Sequence, residues 1–159
     1  MNQPAKKYLS KKEALERLRN WCAYQERSHA EVRKKLLTLG QRGDAAEEII
    51  SVLIEENFLN ESRYAAAFSG GKFRMKNWGK RKIESRLKLQ GVSERTISDA
   101  MKKIDEADYR ATLKKVLDKK LKSLPKGLKE FERNRKTAAY AIGKGFEAEL
   151  VWAMLKPEF

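Results

Sequence analysis

The sequence predicts an all-α fold, built as three tandem three-helix repeats in an elongated array. Three observations predict it. Prolines stand only at positions 4, 125 and 157, so none interrupts a helix between Ala5 and Leu124. Alanine, leucine, lysine and glutamate dominate, all good helix formers, and strand-favouring runs are absent. Helix-start signals recur every 12 to 19 residues, the spacing of short helices joined by tight turns.

The elements follow in order. Ser10 with Glu13 forms a capping box, and a helix over about 11–26 sets Ala14, Leu15, Leu18, Trp21 and Cys22 on one face. Ser28 with Glu31 caps a second helix, about 29–39, with Val32, Leu36 and Leu39 inward. Asp44 with Glu47 resembles the same box and starts a third, about 45–57, with Ile49, Val52 and Leu53 inward and Phe58 behind. Asn60, Gly79, Ser93 and Asp105 are further cap candidates. Lys72-Phe73-Arg74-Met75-Lys76 alternates with the period of a strand. Ala65, Phe68, Lys72 and Met75 nevertheless keep a helical stripe, so the segment reads as a helix end, although Gly70-Gly71 interrupts it. Asn77-Trp78-Gly79 then reads as a turn, with Trp78 positioned to staple Ile83 of the next helix.

The repeat rests on an internal match. "EVRKKLLTLG" (31–40) aligns with "KIESRLKLQG" (82–91), placing Val32 on Ile83, Leu36 on Leu87 and Gly40 on Gly91. A glycine just past a helix suits a left-handed residue there. The following helix supplies Ile49 in one copy and Ile97 in the other. "TAAYAIGKGFEAELV" (137–151) is a weaker third copy, with Thr137, Ala141, Gly145 and Val151 in the equivalent places. Repeats near 10–58, 60–106 and 108–157 are expected.

The charge is +14 and unevenly spread. Residues 1–58 carry 11 basic and 9 acidic side chains, 60–104 carry 12 and 4, and 110–136 carry 11 and 3. Such a field favours polyanions or an acidic protein surface. Cys22 is the sole cysteine and His29 the sole histidine, which excludes an intramolecular disulfide and leaves no metal-ligand cluster. Cys22 reads as a core thiol and His29 as a solvated first-turn residue. Trp21, Trp78 and Trp152, at helical spacing, read as core, with stacking platforms as the alternative. No apolar run approaches a membrane span and no signal peptide is visible, so a cytoplasmic protein without membrane contact is expected. No phosphate loop, nucleophile elbow or catalytic constellation is present. Glu47-Glu48 and Glu55-Glu56 read as solvated charge, so no enzyme and no cofactor are expected.

Residues 72–88 hold eight basic groups against Glu84 alone. Lys72, Arg74, Lys76, Lys80, Arg81, Lys82, Arg86 and Lys88 are the candidate contacts, with a solvated basic face as the alternative. A second cluster, Lys114, Lys115, Lys119, Lys120, Lys122 and Lys126, rides above Leu113, Val116, Leu117 and Leu121; Lys115 and Lys119 are its candidates, with a solvated face as an equal alternative. Lysines without interleaved aromatics offer shape-tolerant attraction rather than base readout.

"RSHAEVRKKLLTLG" (27–40), "LIEENFLNESRYAAAF" (53–68) and "KNWGKRKIESRLKLQGVSERTISDAM" (76–101) together resemble the RecX family of recombinase regulators. Asn57, Phe58, Leu59, Arg63, Tyr64 and Ala65 match one family pattern; Gly79, Ile83, Leu87, Gly91 and Val92 match another. Glu61 departs from the usual aspartate and Ala141 from the expected leucine. The resemblance implies a curved helical array and a monomeric, non-enzymatic modulator of the RecA recombinase filament. It implies lodging in the filament groove near single-stranded DNA, with weak nonspecific duplex binding. Inhibition of strand exchange, ATP hydrolysis and co-protease activity would follow, with effects on DNA repair and the SOS response. The competing expectation is a DNA-binding protein acting without a recombinase: the turn from Gly91 to Ser93 could serve a helix-turn-helix with residues 94–103 as reader, although Glu94 and Asp99 sit on it.

Overall fold

A computed structural model describes residues 8–156, and among these all regular structure is helical. The helices are α1 (Lys11–Tyr24), α2 (His29–Thr38), α3 (Gly43–Glu55), α4 (Glu61–Lys76), α5 (Lys80–Leu89), α6 (Glu94–Lys102), α7 (Glu106–Ser123), α8 (Glu130–Gly143) and α9 (Ala148–Leu155). Pro4 and Pro157 lie outside the described residues. The chain forms two compact units: one reaches to Tyr64 and includes Gln90–Val92, the other comprises Ala65–Leu89 and the chain from Ser93 onward.

Local chemistry sets most helix starts. Ser10 and Ser28 each accept from the amide three residues on, while Glu13 and Glu31 return the bond, completing both capping boxes. Asn60 caps α4 through the Arg63 amide, Ser93 caps α6 through Thr96, and Asp105 caps α7 through Asp108. The third expected box does not form. α3 starts earlier, at Gly43, with Asp44 inside its first turn and no side-chain cap. The Glu47 carboxylate accepts from Arg33 instead, 3.0 Å from its Nε. α1 and α2 also end short of their expected limits, at Tyr24 and Thr38.

The repeat equivalences hold at the level of burial. Val32, Ile83 and Thr137 are fully buried, as are Leu36, Leu87 and Ala141. Gly40, Gly91 and Gly145 share positive φ, at 83°, 76° and 104°. After Gly40 the Gln41 amide reaches back to Leu36, and after Gly145 the Phe146 amide reaches back to Ala141, the same Schellman closure at equivalent residues. Ile49, Ile97 and Val151 then close the buried set.

In the unit reaching to Tyr64, α1, α2 and α3 enclose Leu18, Val32, Leu36, Ile49 and Leu53, with Trp21 partly buried against them. Cys22 belongs to this core, and burial pushes its thiol up to about 11. His29 differs from expectation. It is half-buried, with Nε2 enclosed and unpartnered. The cause is next door: its cap Ser28 is buried and donates to Gln90 at 2.8 Å, drawing the first turn of α2 inward.

In the other unit, Ile83, Leu87, Leu113, Ala141 and Val151 are fully buried beside an aromatic run, Phe73 to Tyr109 to Phe146, with ring centroids 5.9 and 5.2 Å apart. α4 is continuous through Gly70-Gly71. Its buried stripe is Ala65, Ser69 and Phe73, not the expected Ala65, Phe68, Lys72 and Met75. Met75, two residues and about 200° of helix beyond Phe73, is 82% exposed. Trp152 is likewise exposed, at 36%, because its neighbour Val151 takes the inward place on α9.

Candidate functional site

The basic corner begins where α4 stops. Asn77 adopts the left-handed region at φ 55°, and the amides of Asn77 and Trp78 return to Phe73 and Lys72. α5 then starts without a side-chain cap of its own making. Its first donors go to groups far along the chain. The Gly79 amide donates to the Lys144 carbonyl at 2.9 Å, the Lys80 amide to the Tyr109 hydroxyl at 3.0 Å, and the Arg81 amide to the Gly145 carbonyl at 2.9 Å. Tyr109 in turn donates its proton to the Glu147 carboxylate. Burial, then this carboxylate, pushes the Tyr109 phenol well above its ordinary value, so it stays a donor. These bonds satisfy amides that a helix start leaves open, and they fix the direction in which Lys80, Arg81 and Lys82 leave the backbone.

Tyr109→Phe is therefore expected to cost about 1–3 kcal/mol, since it strands the Lys80 amide and Glu147 together. A lower urea midpoint with an unchanged slope would register it; an unaltered midpoint would show that the hydroxyl carries no stability.

Three cations converge on Trp78. Lys82 Nζ stands 4.3 Å from the ring centroid, Lys72 Nζ 5.0 Å and the Arg86 guanidinium 5.7 Å. Phe68 backs the indole edge-on at 6.4 Å. Lys82 and Arg86 share a face because they are one turn apart on α5, while Lys72 comes from α4. Trp78 is half-buried, and each contact stabilises by about 0.5–2 kcal/mol. The cations also repel one another, and a bound anion relieves that repulsion.

Little else neutralises this unit. Among its described residues the ion pairs are Lys80 with Glu106 at 3.9 Å and Arg110 with Glu106 at 3.1 Å, both on one carboxylate. The unit reaching to Tyr64 contrasts with it: Lys11 pairs with Glu48, Arg33 with Glu47 and Arg63 with Glu26. Arg19 grips Glu56 with two bonds of 2.7 Å, which hold that carboxyl below its ordinary range. These carboxylates are spent on the unit's own cations.

The ten predicted contacts thus divide. Lys72, Lys82 and Arg86 meet at Trp78. Lys76 and Arg81 are exposed and make no cation–π contact with that ring. Lys80 is half-buried, 4.7 Å from the Tyr109 ring and facing Glu106, so it serves the fold. Arg74 lies back against Gly70 and lines a hollow with Asp105 and Asp108. Lys88 borders another hollow, with Glu84 and Glu94. Lys115 and Lys119 line a groove that also takes in Lys120, Lys144 and Tyr140. Sequence reasoning missed Tyr140 and Lys144; their spacing of one helical turn was the available signal.

Among the described residues no helix is long and apolar enough to cross a membrane, and no group of three potential ligands could hold a metal ion.

Two family models match the chain: "RecX, second three-helix domain" over residues 60–101 and "RecX, third three-helix domain" over 107–155. A regulatory protein RecX of Pelodictyon phaeoclathratiforme is 30% identical over 132 residues, covering 82% of this chain and 80% of that relative. A regulatory protein RecX of Chlorobium limicola is 28% identical over 149 residues, covering 92% and 87%. A crystal structure of regulatory protein RecX superposes with a TM-score of 0.83 at 24% identity, covering 93% of this chain and 72% of that one, a likeness of fold. All these relatives are named as regulatory proteins. With tandem three-helix units, the repeated glycine closures and these matches, the chain belongs to the RecX family.

Proposed function

We propose that the protein is a non-enzymatic regulator that binds the RecA recombinase filament on single-stranded DNA and inhibits its recombinase, ATPase and co-protease activities. In this reading it acts as a cytoplasmic monomer, with repeats over 10–58, 60–106 and 108–157 lying along the filament groove. The observation that carries it is the unneutralised basic surface around Trp78, in a chain of this family. The cations at 72, 82 and 86 suit phosphates or acidic side chains at neighbouring protomers, and Lys76, Arg81, Lys115 and Lys119 extend the positive field.

Titrating the protein into a single-strand-dependent recombinase ATPase assay tests this. Inhibition at substoichiometric ratios is expected if the protein caps growing filaments. Tight, sequence-specific duplex binding with no effect on ATP hydrolysis would sink the proposal in favour of a helix-turn-helix DNA-binding protein. Against that alternative, α6 carries Glu94 and Asp99, which repel a phosphate backbone.

A further inference from the structure

We propose that the groove between α7 and α8 is a nucleotide subsite for single-stranded nucleic acid, in which Tyr140 stacks on a base and lysines hold the adjoining phosphates. This rests on the reading above for its ligand, and it assigns a contact separate from the Trp78 cluster.

The groove has a volume of about 470 Å³, within the usual span of small-molecule sites. Lys115, Lys119, Lys120 and Lys144 line it, with Asn77 at one margin and Tyr140 in the wall. No carboxylate belongs to that lining. The lysines come from two sources: positions 115 and 119 repeat at one turn along α7, while Lys144 ends α8. The fold fixes the backbone at Lys144, whose carbonyl accepts the Gly79 amide, and Tyr140 lies one turn before it.

The tyrosine is what separates this groove from an ordinary lysine-rich face. Its side chain is 44% exposed although α8 offers a buried face at Thr137, Ala138 and Ala141. Lys120 Nζ stands 4.8 Å from its ring centroid and Lys144 Nζ 5.8 Å. An exposed aromatic ring flanked by cations is the arrangement that takes one unpaired base and its phosphates. A duplex buries its base faces in the stack, so the ring contributes only to a single strand. Asn77, next in sequence to Trp78, borders the groove, so one strand can meet both aromatic sites in succession.

The test uses the full chain, fluorescein-labelled oligo(dT) and an abasic oligomer of equal length, with anisotropy measured against salt. Tyr140→Ala is expected to weaken oligo(dT) about tenfold and leave abasic binding unchanged, the loss of one stacking contact. Tyr140→Phe keeps the ring and should bind both as the unaltered protein does. Lys119→Ala with Lys144→Ala should weaken both oligomers alike and lower the salt slope by about 1.4, at roughly 0.7 per phosphate contact on single strands. If Tyr140→Ala leaves oligo(dT) binding intact, or weakens both oligomers equally, the subsite is refuted; circular dichroism on the same samples excludes unfolding as the cause. Recombinase is absent from this assay. A protein that fails to inhibit ATP hydrolysis yet shows this pattern keeps the subsite and loses the proposed function; one that inhibits without the pattern does the reverse.

Discussion

Gly79→Ala is expected to destabilise its own unit, Ala65–Leu89 with the chain from Ser93 onward, by about 4 kcal/mol, on the order of 15–30 °C in its melting temperature. The reason is a backbone-to-backbone seam. A Cβ at position 79 would stand 2.2 Å from the Gly145 carbonyl carbon, 2.2 Å from the Phe146 nitrogen and 2.4 Å from the Gly145 oxygen. These are main-chain atoms and cannot rotate aside. Separation would break the bonds from Gly79 to Lys144 and from Arg81 to Gly145, both 2.9 Å, and pull the Lys80 amide from Tyr109. Gly145→Ala meets the same seam from the other side, with φ at 104° and Lys82 Cβ only 2.4 Å away. Gly91→Ala, in the unit reaching to Tyr64, is the control for a left-handed glycine with no seam around it. Its φ is 76°, but a Cβ added there would meet nothing within 4 Å beyond its chain neighbours, so it should lose about 1 kcal/mol, the backbone term alone. Thermal melts of the three variants would decide. Losses for Gly79→Ala and Gly145→Ala no greater than the roughly 1 kcal/mol expected of Gly91→Ala would mean that the seam does not order their unit.

Much of the fold was legible because its causes are local. A capping box spans four residues, so Ser10 with Glu13 and Ser28 with Glu31 announce their helices before any packing is known. The repeated apolar positions and glycines are equally local, and they carried the three-repeat reading even where Thr137 and Ala141 replace larger residues. Asp44 misled because the same pattern was available to a competitor: Glu47 finds Arg33 across the fold. Met75 misled because a stripe through Phe68 and Lys72 differs by one register step from the buried stripe through Ser69 and Phe73. At the candidate site, the eight bases between 72 and 88 were visible, but their grouping was not. It depends on the angle between α4 and α5, which bonds from Tyr109, Lys144 and Gly145 help to set. Those partners lie about 30 to 65 residues downstream, beyond the reach of any local pattern.

The largest functional effect is expected from removing the three cations on Trp78 together. Lys72→Ala with Lys82→Ala and Arg86→Ala should weaken single-stranded DNA binding on the order of 100-fold at low salt, and lower the salt slope by about 2. Inhibition of the recombinase ATPase should fall in step. Lys80 is left out, because its ammonium faces Glu106 and Tyr109 and its loss would disturb the fold instead. Net charge alone would also reduce binding, so a matched variant is needed. Lys12, Lys34 and Arg42 are exposed in the unit reaching to Tyr64, and replacing them by alanine removes the same three charges. If the positive field acts only as a whole, the two triple variants should lose affinity equally. If the indole gathers cations into one anion site, the first should lose far more, with the second within about threefold of the unaltered protein. Trp78→Phe then separates ring from charge. It preserves an aromatic face with a weaker pull on cations, so an intermediate loss would locate the site on the ring, and no loss would leave the lysines acting without it.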